Sequence, residues 1–482
     1  MKKQKNARKS KTFSTYQKTS FSTEVKKTAK LSKQGLDIFF KAENIALIGA
    51  SHELNKIGNV LFKNLIGSKT VFPVNPNVEV IMNRHSFKSV LEIEEKIDLA
   101  IIAVKAEFVP DVVEQCGKKK IKAVLIISSG FSETGNEKLN NKLKNVLDKY
   151  NIKCIGPNCL GIYDSYSELD AIFLTQQRLK RPEQGKIAFL SQSGALGGAL
   201  LGNMADKKIG ISKFISYGNA INLNECDFLE YLGNDAETKV ICFYVEQIKD
   251  GKRFIEVAKK ISKEKPLIIL KGGMTEQGNK ATLSHTGSLA GDARVYSGVF
   301  KQVNAIQVEN MEDLFSVASL FDKFSDFKEK IKGKRIQVIT NGGGYGIVCS
   351  DNIAKSNLEL SELAPTTKTK IKKFMPAFAN IGNPLDLMGD VTNERYKLAL
   401  EACLDDTNID LILLVVLYQT PLINGDIVEI ISQAQKLRKK PIIVVMNNNK
   451  YEESIQESLE EKEVACFEFP EDAIRAIEKF LK

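Results

Sequence analysis

Residues 45–59 read IALIGASHELNKIGN. The apolar run Ile45–Ile48 has the length and composition of a buried strand, and Gly49 follows it directly. Gly58 stands where the pattern predicts the start of a helix, and Lys56 adds a cation to the loop between the two glycines. Glycines let a backbone approach a phosphate, and a helix start offers unpaired N–H groups. The stretch therefore predicts a strand–loop–helix unit that forms either a phosphate site or an ordinary tight turn.

This loop does not have the signature of a nicotinamide site. Its glycines do not follow the GxGxxG spacing, and the second predicted strand ends in PVNPN, residues 73–77, rather than in an acidic residue. Without that carboxylate the ribose diol of NAD has no partner. The pattern disfavours a nicotinamide-dependent oxidoreductase.

Short apolar runs alternate with amphipathic segments along the rest of the chain, which is typical of parallel sheets covered by helices on both faces. We predict an α/β protein with three Rossmann- or flavodoxin-like domains in series, at residues 35–175, 183–325 and 332–482. The predicted strands are Ile45–Ile48, Val71–Val74, Leu99–Val104, Val124–Ile127, Cys154–Ile155, Ile187–Leu190, Phe214–Ser216, Val240–Val245, Leu267–Leu270, Ile336–Thr340, Leu411–Leu417, Ile442–Met446 and Cys466–Phe467.

The net charge of +10 resides in residues 1–34, which hold 11 Lys or Arg and a single acid, Glu24. The balanced remainder gives no electrostatic case for nucleic acid, and no apolar stretch of about 18 residues predicts a membrane span. We expect a basic disordered tail; a transit peptide is the alternative, disfavoured by its single arginine, Arg8. The eight cysteines lack CxxC or zinc spacing, which indicates reduced thiols in a cytoplasmic protein and no metal site.

His285 is the most informative of the three histidines, the others being His52 and His85. It lies in KATLSHTGSLAG, among small residues without apolar periodicity. Neutral imidazole is a good nucleophile towards phosphorus, although a core position is the alternative. Glu246, which ends the predicted strand CFYVE, is a candidate partner that would fix the tautomer of the ring.

Three further predicted strands end in small polar residues: SSGF at 128–131, GPNCLG at 156–161 and SQSGALGG at 191–198. The first two would leave a crevice faced by Asn158 and Cys159. A nucleophilic Cys159 is disfavoured because no histidine is near it in sequence. The third stretch predicts either an anion site at a helix start or a capped helix packed closely on its strand.

In this order the motifs resemble the α subunits of succinyl-CoA synthetase and, more closely, of ADP-forming acetyl-CoA synthetases (acetate–CoA ligases). The resemblance runs from Phe39 to the C-terminus and rests on GASHELNKIGN, PVNP, SSGF, GPNC, SQSGA, the glutamate of YVEQIKDG, and SHTGS. The roles it implies are CoA phosphates on Gly49, Ala50, Ser51, Lys56 and Gly58; the CoA arm along Val74, Asn75, Ser129, Gly130, Asn158 and Cys159; phosphorylation of His285 with Glu246 as partner; and phosphate binding by Ser191, Ser193 and Gly194.

The resemblance implies a ligase that interconverts acyl-CoA, ADP and phosphate with a small carboxylic acid, CoA and ATP. ITNGGGYG (339–346) and NPLDLMGD (383–390) resemble the extra domain of the acetate-type α subunits. The glycine loop of the first motif is either a phosphate site or has a structural or inter-domain role. No segment resembles a nucleotide-grasp domain, so an ATP-grasp β subunit, in an α2β2 assembly, is expected to bind ADP or ATP and Mg²⁺. The alternative is a non-catalytic CoA-binding regulatory protein.

Overall fold

The computed structural model describes residues 35–286, 291–327, 331–447 and 452–482, with only the backbone described at 283–286 and 326. The predicted tail, residues 1–34, lies outside these ranges. No helix within them is both long enough and apolar enough to cross a membrane.

The described chain alternates strands and helices throughout. The strands are β1 Asn44–Ile48, β2 Thr70–Val74, β3 Val80–Ile81, β4 Arg84–His85, β5 Leu99–Ile102, β6 Ala123–Ile126, β7 Lys153–Ile155, β8 Ile162–Asp164, β9 Leu169–Asp170, β10 Gln184–Ser191, β11 Ile211–Ser216, β12 Val240–Val245, β13 Leu267–Lys271, β14 Ile306–Val308, β15 Arg335–Thr340, β16 Glu359–Leu360, β17 Leu385–Asp386, β18 Leu411–Val415, β19 Ile442–Val445 and β20 Ala465–Phe467. The α-helices are Asp37–Phe40, Ile57–Leu65, Val109–Lys118, Glu137–Tyr150, Gly194–Asp206, Glu225–Asn234, Gly251–Ile261, Glu276–Thr286, Ala293–Gln302, Met311–Phe324, Gly343–Lys355, Pro365–Lys372, Asn393–Leu404, Asp426–Lys436, Glu453–Glu461 and Pro470–Phe480.

These strands form three main sheets that share one topology. The first has the order β2-β1-β5-β6-β7, the second β14-β13-β12-β10-β11-β8-β9, and the third β16-β15-β18-β19-β20 with β17 also paired to β15. Apart from β8 and β9, all strands in these sheets pair in parallel. Within each sheet the parallel strands follow the order 2-1-3-4-5, with β17 extending the place of β16, which is the flavodoxin-like arrangement. The prediction of three parallel-sheet α/β domains in series is confirmed.

The topology places the predicted loops where ligands bind in such folds. The strand order reverses between β1 and β5 in the first sheet, and between β10 and β12 in the second. Crevices open outside the carboxyl ends of strands at these switch points. Gly49 follows β1 and Gln192 follows β10, so both predicted loops stand at a switch point.

The first two sheets are joined covalently and by packing. The hairpin β8–β9, in a segment expected to belong to the first unit, pairs antiparallel with β11 and so lies at the edge of the second sheet. One continuous apolar cluster runs between the two sheets, and the rings of Phe40 and Tyr231 stack with centroids 5.0 Å apart. A second cluster joins the second sheet to the third, so each sheet boundary is an apolar core.

Candidate functional site

A cleft of ≈ 1150 Å³ opens between the carboxyl ends of the first and second sheets. Its walls come from segments that follow β6 and β7 on one side, and β10, β11 and β12 on the other. The predicted site residues that line it are Ser129, Asn158, Cys159, Ser193, Gly194 and Glu246.

The glycine turn after β1 stands at one end of this cleft. Gly49 has a φ of +92°, a conformation that favours glycine, and its amide donates to the Val74 carbonyl at 3.0 Å. A Cβ atom on Gly49 would lie 2.4 Å from the carbonyl oxygen of Ala103, which itself lines the cleft. The turn therefore requires glycine at this position both for its dihedral angle and for space.

The loop that follows is fixed by hydrogen bonds from polar side chains. Asn75 Nδ2 donates to the Ala50 carbonyl at 2.8 Å, and the Ser51 hydroxyl accepts the Glu53 amide at 3.1 Å. Lys56 precedes the helix Ile57–Leu65 and keeps an exposed side chain 3.9 Å from the Glu53 carboxylate. The glycine loop reaches the cleft at Ile57. The predicted CoA residues that do not line the cleft wall are Gly49, Ala50, Ser51, Lys56, Gly58, Val74, Asn75 and Gly130.

A hydrogen-bond network joins the two sheets across the cleft floor. Asn158, at a φ of +58°, donates its amide to the Ser128 carbonyl at 2.9 Å and its Nδ2 to Asn219 at 3.3 Å. Asn219 in turn donates to the Glu133 carboxylate, which also accepts the Gly130 amide. Sequence reasoning missed Glu133 and Asn219. The available signal was YGNAIN directly after β11, a run of small and polar residues at a strand end like those already chosen.

Cys159 lines the cleft as an uncharged thiol. Its Sγ contacts the Ile126 carbonyl at 3.3 Å, and only 4% of the residue is exposed. Burial raises the pKa of this thiol to about 12. Cys159 therefore carries almost no thiolate near neutral pH, and a nucleophilic role for it stays disfavoured.

The SQSG stretch forms a capped helix start that faces the cleft. Ser191 is fully buried, and its hydroxyl donates to the Ser193 carbonyl at 2.7 Å. The Ser193 hydroxyl accepts the Leu196 amide at 3.4 Å and caps the helix Gly194–Asp206. A Cβ atom on Gly194 would lie 3.3 Å from the amide nitrogen of Leu160. The stretch is thus a capped, closely packed helix start. Ser193 and Gly194 nevertheless line the cleft, so this packing leaves the N-terminus of the helix facing it.

Glu246 presents a nearly buried carboxylate at the end of β12. The residue is 6% exposed, and its amide donates to Gln192 Oε1 at 2.9 Å. The Tyr244 hydroxyl donates to its Oε1 at 3.2 Å. Burial lowers the pKa of the nearby Lys271 to about 8, opposed by the charge of Glu246. Gln192, Tyr244 and Lys271 were missed by the sequence analysis, although Gln192 is the second residue of the SQSG motif.

The backbone of His285 belongs to the helix Glu276–Thr286, whereas its side chain lies outside the described residues. This helix follows β13, the strand that pairs with β12 and ends beside Glu246. The pairing of His285 with Glu246 stays a prediction. His52 and His85 are both exposed.

The glycine loop of the third sheet also begins a helix, Gly343–Lys355. The Gly342 amide donates to the Thr340 hydroxyl at 3.0 Å, and a Cβ atom on Gly343 would lie 3.1 Å from the Asp386 carboxylate. A carboxylate thus stands close to this helix start.

The comparisons with known proteins agree with this architecture. Residues 43–165 match a family described as a CoA binding domain, residues 184–321 a succinyl-CoA ligase like flavodoxin domain, and residues 336–478 a Ligase-CoA domain. The chain is 38% identical to the acetate–CoA ligase [ADP-forming] II subunit alpha of Pyrococcus furiosus, over 92% of this chain and 96% of that one.

A longer relative and a solved structure extend the comparison. The acetate–CoA ligase [ADP-forming] of Methanocaldococcus jannaschii is 43% identical over 73% of this chain, which spans about half (49%) of that protein. The dinucleotide forming acetyl-coenzyme A synthetase 1 of Ca. Korarchaeum cryptofilum, solved with phosphate and ADP, superposes with a TM-score of 0.85 at 33% identity, covering 92% of this chain and 96% of that chain.

Proposed function

Because this chain belongs to the family of ADP-forming acetate–CoA ligase α subunits, we propose that it is the α subunit of a nucleotide-forming acyl-CoA synthetase. The reaction is acyl-CoA + ADP + phosphate ⇌ carboxylic acid + CoA + ATP. The observation that carries the proposal is the cleft at the two switch points, which brings Ser129, Asn158 and Cys159 of the first sheet opposite Ser193 and Glu246 of the second.

The residues around the cleft fit CoA. Gly49 and Gly58 let the turn after β1 pack directly against the start of the helix Ile57–Leu65, where N–H groups stabilise phosphate oxygens. Lys56 supplies an exposed cation beside this helix start. The pantetheine arm would run past Val74, Asn75, Ser129, Gly130 and Asn158 towards Cys159, with Ala50 and Ser51 completing the phosphate end. This direction leads the thioester from the first sheet to Ser193 and Glu246 on the second.

The proposed chemistry has two transfers on this chain. Phosphate attacks the thioester carbonyl, the C–S bond breaks, and CoA leaves as its thiol with an acyl phosphate formed. An imidazole nitrogen of His285 then attacks phosphorus, the P–O bond to the acyl group breaks, and the carboxylate leaves. Glu246 accepts the N–H of the other ring nitrogen and so keeps the attacking nitrogen unprotonated. The helix start at Ser191, Ser193 and Gly194 stabilises the phosphoryl charge.

We infer that transfer of the phosphoryl group to the nucleotide takes place on a partner subunit. The Pyrococcus furiosus relatives are named alpha subunits, which supports this inference. We propose an ATP-grasp β subunit in an α2β2 assembly, where Mg²⁺ and ADP receive the phosphoryl group from His285. A cytoplasmic location is proposed as well, consistent with free thiols at all eight cysteines.

Phosphorylation of the chain tests the proposal. The assembled complex incubated with γ-labelled ATP and magnesium should label this chain, and the label should be acid-labile as expected of phosphohistidine. His285→Ala should remove the label, while His85→Ala, at an exposed position in the β3–β4 hairpin, should label like the wild type. Equal labelling of the His285→Ala variant would exclude His285 as the carrier. Complete absence of labelling in the wild-type complex, with CoA still bound, would instead favour the non-catalytic CoA-binding regulator.

A further inference from the structure

The Glu246 side chain accepts a hydrogen bond from Tyr244, which lies in the strand that leads to it. In an extended strand, residues two apart point to the same face, and Tyr244 and Glu246 stand in this relation at the end of β12. The Tyr244 hydroxyl donates to Oε1 of Glu246 at 3.2 Å. The glutamate backbone is fixed separately, because Gln192 Oε1 accepts the amides of Glu246 and Gln247 at 2.9 and 3.0 Å.

The neighbouring strand leaves the space for this tyrosine. Gly272 follows β13, and its amide donates to the Val245 carbonyl at 2.9 Å. A Cβ atom on Gly272 would lie 2.7 Å from the Tyr244 hydroxyl oxygen and 3.5 Å from Cγ of Glu246. Gly272 does not adopt a positive φ. The requirement for glycine here is therefore steric, and the group it accommodates is the hydroxyl that contacts Glu246.

The arrangement divides the two oxygens of the carboxylate. Oε1 accepts from Tyr244, and Glu246 lines the cleft whereas Tyr244 does not, so Oε2 is the oxygen left to accept a ring N–H that approaches from the cleft. Burial, together with the charge of Glu246, raises the pKa of Tyr244 above the ordinary tyrosine value. The hydroxyl consequently remains a donor across the physiological range.

We propose that Tyr244 is a positioning residue for phosphoryl transfer, and that Gly272 is required for it. The hydroxyl fixes the Glu246 carboxylate so that its second oxygen orients the imidazole. This inference rests on the proposed function, in which Glu246 is the partner of His285. Tyr244 acts through Glu246 and does not contact the substrate. Hydrogen bonds to metal-ligand and catalytic side chains from such supporting groups typically contribute about 10–100-fold to activity.

The test compares rates of phosphorylation by labelled ATP and magnesium in the assembled complex, using rapid quench. Tyr244→Phe removes only the hydroxyl, and Gly272→Ala displaces it. Both variants should lower the phosphorylation rate constant about tenfold while the dissociation constant of CoA stays unchanged. The matched controls are Tyr163→Phe and Gly298→Ala. The Tyr163 hydroxyl, on β8 of the second sheet, donates to the Pro182 carbonyl. A Cβ atom on Gly298 would meet no described atom within 4 Å outside the backbone of its own helix.

The rate constant and the CoA dissociation constant together separate positioning from a packing defect. A packing defect at the cleft would weaken CoA binding as well as slow phosphorylation, whereas loss of the Tyr244 hydroxyl should lower the rate constant alone. Neither control should change either quantity.

Two outcomes distinguish the possible failures. If Tyr244→Phe and Gly272→Ala label at the wild-type rate, while Glu246→Gln is inactive, the positioning role is wrong and the proposed function stands. If Glu246→Gln itself labels normally, the role of Glu246 in the proposed function is wrong.

Discussion

A Cβ atom placed on Gly58 would lie 1.9 Å from the carbonyl oxygen of Gly49. The first turn of the helix Ile57–Leu65 therefore packs directly against the turn that ends β1. Gly49 contributes its positive φ to this contact, and Gly58 contributes the absence of a side chain. The shape of the proposed CoA phosphate loop depends on this approach of two backbones.

Replacement of Gly58 by alanine should separate the helix from the turn. Overpacking of this kind costs about 1–3 kcal/mol, so we expect the dissociation constant of CoA to rise by about tenfold or more. Calorimetric titration of the assembled complex with CoA measures this dissociation constant. Gly67→Ala is the matched control, because a Cβ at that position would meet no atom of the described residues within 4 Å beyond its chain neighbours. Identical affinities in the two variants would show that the contact does not shape the CoA site.

Cys159 should resist alkylation despite its place on the cleft wall. With its pKa raised to about 12 by burial, only about one thiol in 10⁴ is ionised at pH 8. The rate of modification by iodoacetamide, followed by mass spectrometry of the peptide, should increase about tenfold per pH unit between pH 7 and 9. N-acetylcysteine under the same conditions should level off near the ordinary thiol pKa, whereas a plateau for Cys159 below pH 9 would contradict the buried, neutral thiol.

Lys271 should make stability depend on pH in the alkaline range. Its folded pKa of about 8 lies below the unfolded value, which is about 10.4. Between these values the unfolded chain binds the proton that the folded chain has lost, so stability rises with pH across this window, and the cost of burying the ammonium is fully present below pH 8. The stability of Lys271→Met relative to wild type should be greatest at pH 7 and should fall by up to about 3 kcal/mol by pH 10.

Thermal midpoints of the two proteins at both pH values measure this difference. Lys252→Met is the control, because Lys252 is exposed in the same domain, and its difference from wild type should stay constant. A Lys271→Met difference that is equally constant would contradict the depressed pKa.

The strands that sequence analysis found are those with enough buried apolar residues to show a pattern. Val240–Val245 was predicted with its observed bounds, since nearly all of its residues are buried. The hairpin strands β8 and β9 were missed because segments of three and two residues carry no detectable periodicity. Parallel topology was predictable from alternation, whereas the attachment of β8–β9 to the second sheet depends on a pairing with β11 that no local pattern encodes.

In the candidate site, too, local patterns could be predicted from sequence and long-range contacts could not. Residues at strand ends, such as Asn158 and Ser193, could be chosen because every parallel strand ends at the same edge of its sheet. Glu133 and Asn219 could not be paired from sequence, since 86 positions separate them and no local pattern links their two segments. Tyr244 lies inside the predicted strand Val240–Val245. The role proposed for it nevertheless depends on the space left by Gly272, which follows the neighbouring strand β13.

Phe480 should be needed for attachment of the third sheet and not for CoA binding. Its side chain is fully buried, and its ring centroid lies 5.0 Å from that of Phe321 in the second unit. Phe480→Ala removes this contact at a cost of about 3–5 kcal/mol, so calorimetry should show part of the chain unfolding at a lower temperature. The exposed Phe378, at 81% of its surface, provides the control Phe378→Ala, which should unfold like the wild type. All described residues that line the cleft lie between Ile57 and Lys249, so the CoA dissociation constant should be the same in both variants and in wild type. A large rise in that constant for Phe480→Ala alone would show that the third domain shapes the cleft through the second sheet.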